Sequence, residues 1–134
     1  MKTYLYALAV LAFSIFALNG TEAAAQTQEP VDLILLAEEE ADKYQRLLDL
    51  EDWQTFYVDS TLKANFTQLQ VDLEKLQKAK VTNTSIYQAA RDKCWEEIDR
   101  NFKQWFTEKQ WAAYLKSGAA KLQKQRAKRQ AQNK

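Results

Sequence analysis

The sequence predicts an all-α fold: an antiparallel helical hairpin with shorter flanking helices, about four helices following a signal peptide. Three observations predict it. Beyond residue 25 the chain holds one glycine, Gly118, and one proline, Pro30, so it has few of the residues that interrupt helices. Its apolar residues recur at three- and four-residue steps. No segment alternates apolar and polar with the period of two that a half-buried strand requires.

The N-terminus comes first. Met1-Lys2 supplies a positive start, Tyr4 to Leu18 form an apolar run broken only by Ser14, and Ala23-Ala24-Ala25 offers a small-residue cleavage site. This order predicts a signal peptide over 1–25, cleavage after Ala25 and a periplasmic or secreted destination. The apolar run is shorter than the ~20 residues a spanning helix needs. A polar leader, 26–30, ends at Pro30.

The first helix is predicted over Val31 to Leu48, with Leu33, Leu36, Ala37, Ala41, Tyr44, Leu47 and Leu48 on its stripe. The start, "VDLILLA", is too apolar to stand in water alone and must pack on something, within the chain or on a partner. The second helix covers about Glu51 to Lys78, with Val58, Leu62, Phe66, Leu69, Leu73 and Leu76 facing one way. "KVTNTS", Lys80 to Ser85, is the turn, where Thr82, Asn83 and Thr84 offer cap oxygens. The third helix runs to about Trp105 through Tyr87, Ala90, Cys94, Ile98 and Phe102. The fourth starts at Thr107 and carries Trp111, Leu115, Gly118 and Leu122, so the helical domain is predicted over 31–122.

A short connection between two long helices favours an antiparallel pair. Positions equidistant from the turn then face each other: Leu76 and Tyr87, Leu69 and Cys94, Val58 and Trp105. The same folding-back gathers Trp53, Phe56 and Tyr57 with Phe102, Trp105 and Trp111 at one end, as an aromatic hub of large buriable rings.

"FTEKQ", Phe106 to Gln110, reads as a helix entry. Thr107 is the N-cap, Gln110 reaches back to close a capping box, and Phe106 with Trp111 can form a hydrophobic staple. A similar unit stands at Leu48 to Trp53. In one register Asp49 is its cap and Trp53 its staple partner; in the other, Leu50 to Gln54 aligns with Phe106 to Gln110.

"FTEKQ" and "LEDWQ", 50–54, resemble the LTxxQ motif of Spy/CpxP-like bacterial periplasmic proteins. Leu50, Gln54, Phe106, Thr107 and Gln110 match the motif or stand in its place; Phe106 replaces its Leu, and Glu51 replaces the Thr of the first copy. The resemblance implies a cradle of antiparallel helices, often dimeric, that holds unfolded or envelope proteins without ATP or reports envelope stress. No cofactor is expected. The layout is also similar to small secreted helical proteins of Bacteroidetes.

Composition narrows the chemistry. The chain has no His, so the commonest general base and metal ligand is missing. Cys94 is the only cysteine and therefore has no internal disulfide partner. On an apolar stripe it reads as a small buried hydrophobe, with an intersubunit bridge as the other possibility. No glycine-rich phosphate loop exists. Glu38-Glu39-Glu40 and Glu96-Glu97 read as solvated helical faces. No catalytic constellation and no metal site is expected.

The net charge of +1 hides a split. Glu29 to Asp59 holds ten acidic residues against Lys43 and Arg46, whereas the chain from Lys109 onward has basic residues and no acidic ones. The tail over 123–134, with Lys121 just before it, presents Lys121, Lys124, Arg126, Lys128 and Arg129 after the apolar stripe ends. Three readings follow: a solvated helix end complementing the macrodipole, an arm for an anionic membrane surface, or a pairing with the acidic first helix. Export argues against nucleic acid as the partner.

Overall fold

A computed structural model describes residues 32–133. The expected signal peptide, leader and cleavage site lie outside the described residues. Those residues form helices and no strand. The order is α1 (Leu33–Leu48), α2 (Asp52–Lys78), α3 (Thr84–Trp105), α4 (Glu108–Tyr114), a π-type turn (Leu115–Ala119) and α5 (Ala120–Gln132).

Local chemistry sets each boundary. Asp32 caps α1, its carboxylate accepting from the amides of Ile34 at 2.9 Å and Leu35 at 3.2 Å. The helix stops where Asp49 turns left-handed, with φ 54°. The amide of Leu50 then returns to the Gln45 carbonyl at 3.1 Å, leaving Leu50 itself buried. At the far end of α2, Lys80 is left-handed, and the amides of Lys80 and Val81 bond back to Gln77 at 2.9 Å and Leu76 at 3.0 Å. That is a Schellman ending built without glycine. Asn83 caps α3 by accepting from the Ser85 amide at 3.0 Å, and the Tyr87 hydroxyl donates to the Val81 carbonyl at 2.6 Å, tying the turn.

The long helices α2 and α3 pair antiparallel. Tyr57 stacks on Trp105 at 5.1 Å, Phe66 meets Trp95 edge-on at 5.9 Å, and the Cys94 thiol donates to the Asn65 carbonyl at 3.6 Å. The hairpin is the expected one, but Cys94 bonds one turn away from the position expected opposite it, Leu69. Helix α1 runs antiparallel along the first half of α2, where Lys63 bridges Asp59 at 2.9 Å and Glu38 at 3.1 Å. Val58, Leu62, Ile98 and Phe102 are sealed from solvent where these helices meet.

The fourth helix departs from its expected continuity. Gly118 has φ 122°, outside helical geometry, and splits the rod into α4 and α5. Glycine adopts that backbone without the Cβ penalty other residues meet. The chain reverses earlier, at the extended residues Phe106 and Thr107, so α4 and α5 both run back along α3, antiparallel to it: Lys103 lies over Trp111, Arg126 pairs with Asp99, and Arg129 pairs with Asp92 at 2.7 Å. Helices α1 and α4–α5 therefore flank one face of the α2–α3 hairpin. The expected basic tail is helical over 123–132. Helix α5 crosses the 122/123 boundary unbroken, and its acidic partners are on α3 rather than α1.

Candidate functional site

The two motif copies meet at one end of the molecule. At the second, Thr107 accepts from the Gln110 amide at 3.1 Å and Gln110 Oε1 accepts from the Thr107 amide at 2.9 Å, a full capping box. At the first, Gln54 Oε1 accepts from the Glu51 amide at 2.9 Å, while the Glu51 carboxylate takes the Trp53 indole N–H at 2.6 Å. The cap of α2 is therefore Glu51, and the register that aligns Leu50–Gln54 with Phe106–Gln110 is the one formed. Asp49 ends α1 instead of opening α2.

Gln54 and Gln110 then bond to each other, and each donates its second N–H to the residue before the other motif. Gln54 Nε2 reaches the Trp105 carbonyl at 2.8 Å, and Gln110 Nε2 reaches the Asp49 carbonyl at 3.3 Å. An approximate two-fold relation results, with Leu50 and Phe106 buried in equivalent places. Every polar atom of both side chains is used, as burial demands. This arrangement fixes helix entry angles; it presents no reactive group.

The aromatic hub divides in two. Phe102 and Phe106 stack at 5.1 Å and enclose a closed cluster with Tyr44 and Tyr114, whose rings lie 5.4 Å apart. Trp111 joins it at its edge, 5.4 Å from Tyr114, with Lys103 over its face at 5.8 Å. Phe106 and Trp111, expected to staple directly, both pack on Tyr114. Burial, followed by neighbouring Tyr44 and Asp99, pushes the Tyr114 phenol far above its ordinary pKa. Its hydroxyl donates to Asp99 at 2.5 Å.

Trp53, Phe56 and Tyr57 stay outside that cluster, 48%, 65% and 46% exposed. Tyr57 holds them together, at 6.1 Å from Trp53, 5.7 Å from Phe56 and 5.1 Å from Trp105. Phe56 borders Ala41, Asp42 and Gln45 on one flank of α1.

The basic residues also divide. Arg126 is 7% exposed and lies against Asp99; Arg129 forks onto Asp92 with bonds of 2.9 Å and 2.7 Å. Burial alone would raise the Asp92 carboxyl, but hydrogen bonds from Arg129 and Gln88 outweigh it and hold the pKa below the ordinary carboxylate value. Lys121, Lys124 and Lys128 remain on the solvent side. Hydrophobic periodicity did not reveal Tyr114, Asp92 or Asp99 as organising residues. The available signal was the seven-residue spacing of the two aspartates against the three-residue spacing of the two arginines.

On the other flank of α1 a groove of about 600 Å³ opens between α1 and the α4–α5 rod, floored by Phe66 and Trp95. Among the described residues, no group of three or more acidic or cysteine side chains is arranged to hold a metal ion, and no helix is long and apolar enough to cross a membrane. No family model, curated protein or solved structure matches the chain.

Proposed function

We propose that this chain is a non-enzymatic exported protein that holds apolar stretches of unfolded or envelope polypeptides without nucleotide hydrolysis. The observation that carries the reading is the open patch of Trp53, Phe56 and Tyr57. A contiguous group of large exposed rings marks an interaction surface on a soluble protein, and aromatic residues anchor such contacts. The resemblance of 50–54 and 106–110 to the LTxxQ motif supports the same reading, as does the lack of His.

The test is suppression of aggregation of a chemically unfolded client by the purified protein at near-equal molar ratio. The expected result is suppression that is lost in Trp53→Ser/Phe56→Ser/Tyr57→Ser with helical content retained. A wild-type protein that leaves aggregation unchanged ends the proposal.

A second reading is self-association into a homodimer through the same rings and the exposed Ile34 and Leu35. Light scattering that finds only monomers at tens of micromolar removes it.

A further inference from the structure

The groove between α1 and the α4–α5 rod has a chemistry of its own. Its volume, about 600 Å³, falls within the range of small-molecule sites. Phe66 and Trp95 form the floor, and Leu47 and Leu122 line it. Leu47 is 51% exposed, an apolar side chain facing open space.

The charges around it do not balance. Glu40 is taken by Lys43 at 3.0 Å. Asp99 is taken by Arg126, the Tyr114 hydroxyl and Gln123. Among the described residues no carboxylate forms an ion pair with Lys121, which also lines the groove. The lining thus carries Lys43, Lys121 and Arg126 against Glu40 and Asp99, one positive charge in surplus.

We propose that this groove binds a free long-chain fatty acid, with the acyl chain over Phe66 and Trp95 and the carboxylate at Lys121. An extended peptide suits it less. Its backbone N–H and C=O groups would lose water, while the carboxylates here already have partners. A hydrocarbon chain brings no such groups, and its single anionic head meets the single uncompensated cation. The site is separate from the ring patch, since Phe56 stands on the opposite flank of α1.

The experiment titrates the purified protein with laurate, myristate and oleate below their micellar concentrations, read by calorimetry and by quenching of tryptophan with dibromostearate. Binding is expected at one fatty acid per chain, tightening about tenfold from laurate to myristate as two methylenes are buried. Lys121→Glu and Leu47→Glu, both at exposed positions, should each weaken binding about tenfold or more. Lys128→Glu and the triple serine variant of the ring patch should leave it unchanged. The proposal is overturned by the absence of saturable binding, by binding indifferent to both Lys121→Glu and Leu47→Glu, or by binding lost in the ring-patch variant. Phosphatidylglycerol vesicles or an apolar peptide that occupy the groove where free acids do not would overturn it as well.

Discussion

Gln54 and Gln110, 56 positions apart in the chain, exchange two side-chain hydrogen bonds: Nε2 of Gln54 to Oε1 of Gln110 at 2.7 Å, and the reverse at 3.0 Å. Replacing either one strands the other's amide and frees a backbone carbonyl in a site where Gln54 is only 2% exposed. Each buried unsatisfied group costs about 1–3 kcal/mol. Gln54→Leu should therefore destabilise by roughly 3 kcal/mol. Gln54→Leu with Gln110→Leu should cost less than the sum of the singles, with a coupling of about 1–3 kcal/mol. Denaturant unfolding of the four proteins in the cycle measures it; additive effects would show that the pair is not coupled.

Arg126 and Lys128 make opposite predictions although two positions separate them. Arg126→Ala leaves Asp99 buried without its cation and should cost about 3 kcal/mol. Lys128→Ala, on the exposed side of α5, should change stability by no more than about 0.5 kcal/mol. Thermal or urea unfolding decides between them.

Acid should loosen the same helix. The folded-state pKa of Asp92 is depressed, so its contribution is present above the unfolded value near ~3.9 and is lost as pH falls through the lower folded value. Stability is expected to hold at pH 5 and to decline below about pH 4, and Arg129→Gln should shrink that Asp92-dependent decline. A pH series of urea midpoints for the two proteins is the measurement.

Cys94 should be inert at neutral pH. Burial, followed by the charge of nearby Asp72, pushes its thiol up to about 12 from 9.0. Labelling by a thiol reagent at pH 8 should be slow in the native protein and fast in denaturant. The raised pKa contributes stability that is fully present below the unfolded value and falls as pH rises toward the folded one, by about 1.4 kcal/mol per pH unit between them. Cys94→Ala should remove the slope between about pH 9 and 10, before the raised phenols of Tyr44 and Tyr114 add their own.

Gly118→Ala isolates a backbone effect. A Cβ there would meet no atom within 4 Å, yet φ is 122°. The expected cost is about 1–2 kcal/mol from conformation alone, read as a lower urea midpoint.

The hairpin was legible because its signals are local and apolar. The stripes of α2 and α3 carry the period, and Asn83 marks the turn. Asp49 was ambiguous for a physical reason. A short acidic side chain serves as an N-cap, but aspartate also tolerates the left-handed conformation that ends a helix. Gly118 fell on the spacing of the fourth stripe, where period alone does not separate a helical glycine from a break. The return of α5 left no apolar trace, since aspartate–arginine pairs hold it. The groove draws its lining from α1, α2, α3 and the α4–α5 rod, so only the assembled fold reveals it.

The mutual bonding of the two glutamines makes the elbows a single heritable unit, although one lies near the start of the helical region and the other toward its end. A lineage that altered one amide would carry an unmatched partner until a companion substitution arose. The two short motifs should consequently be kept or abandoned in step, even where the exposed rings and lysines around them diversify freely.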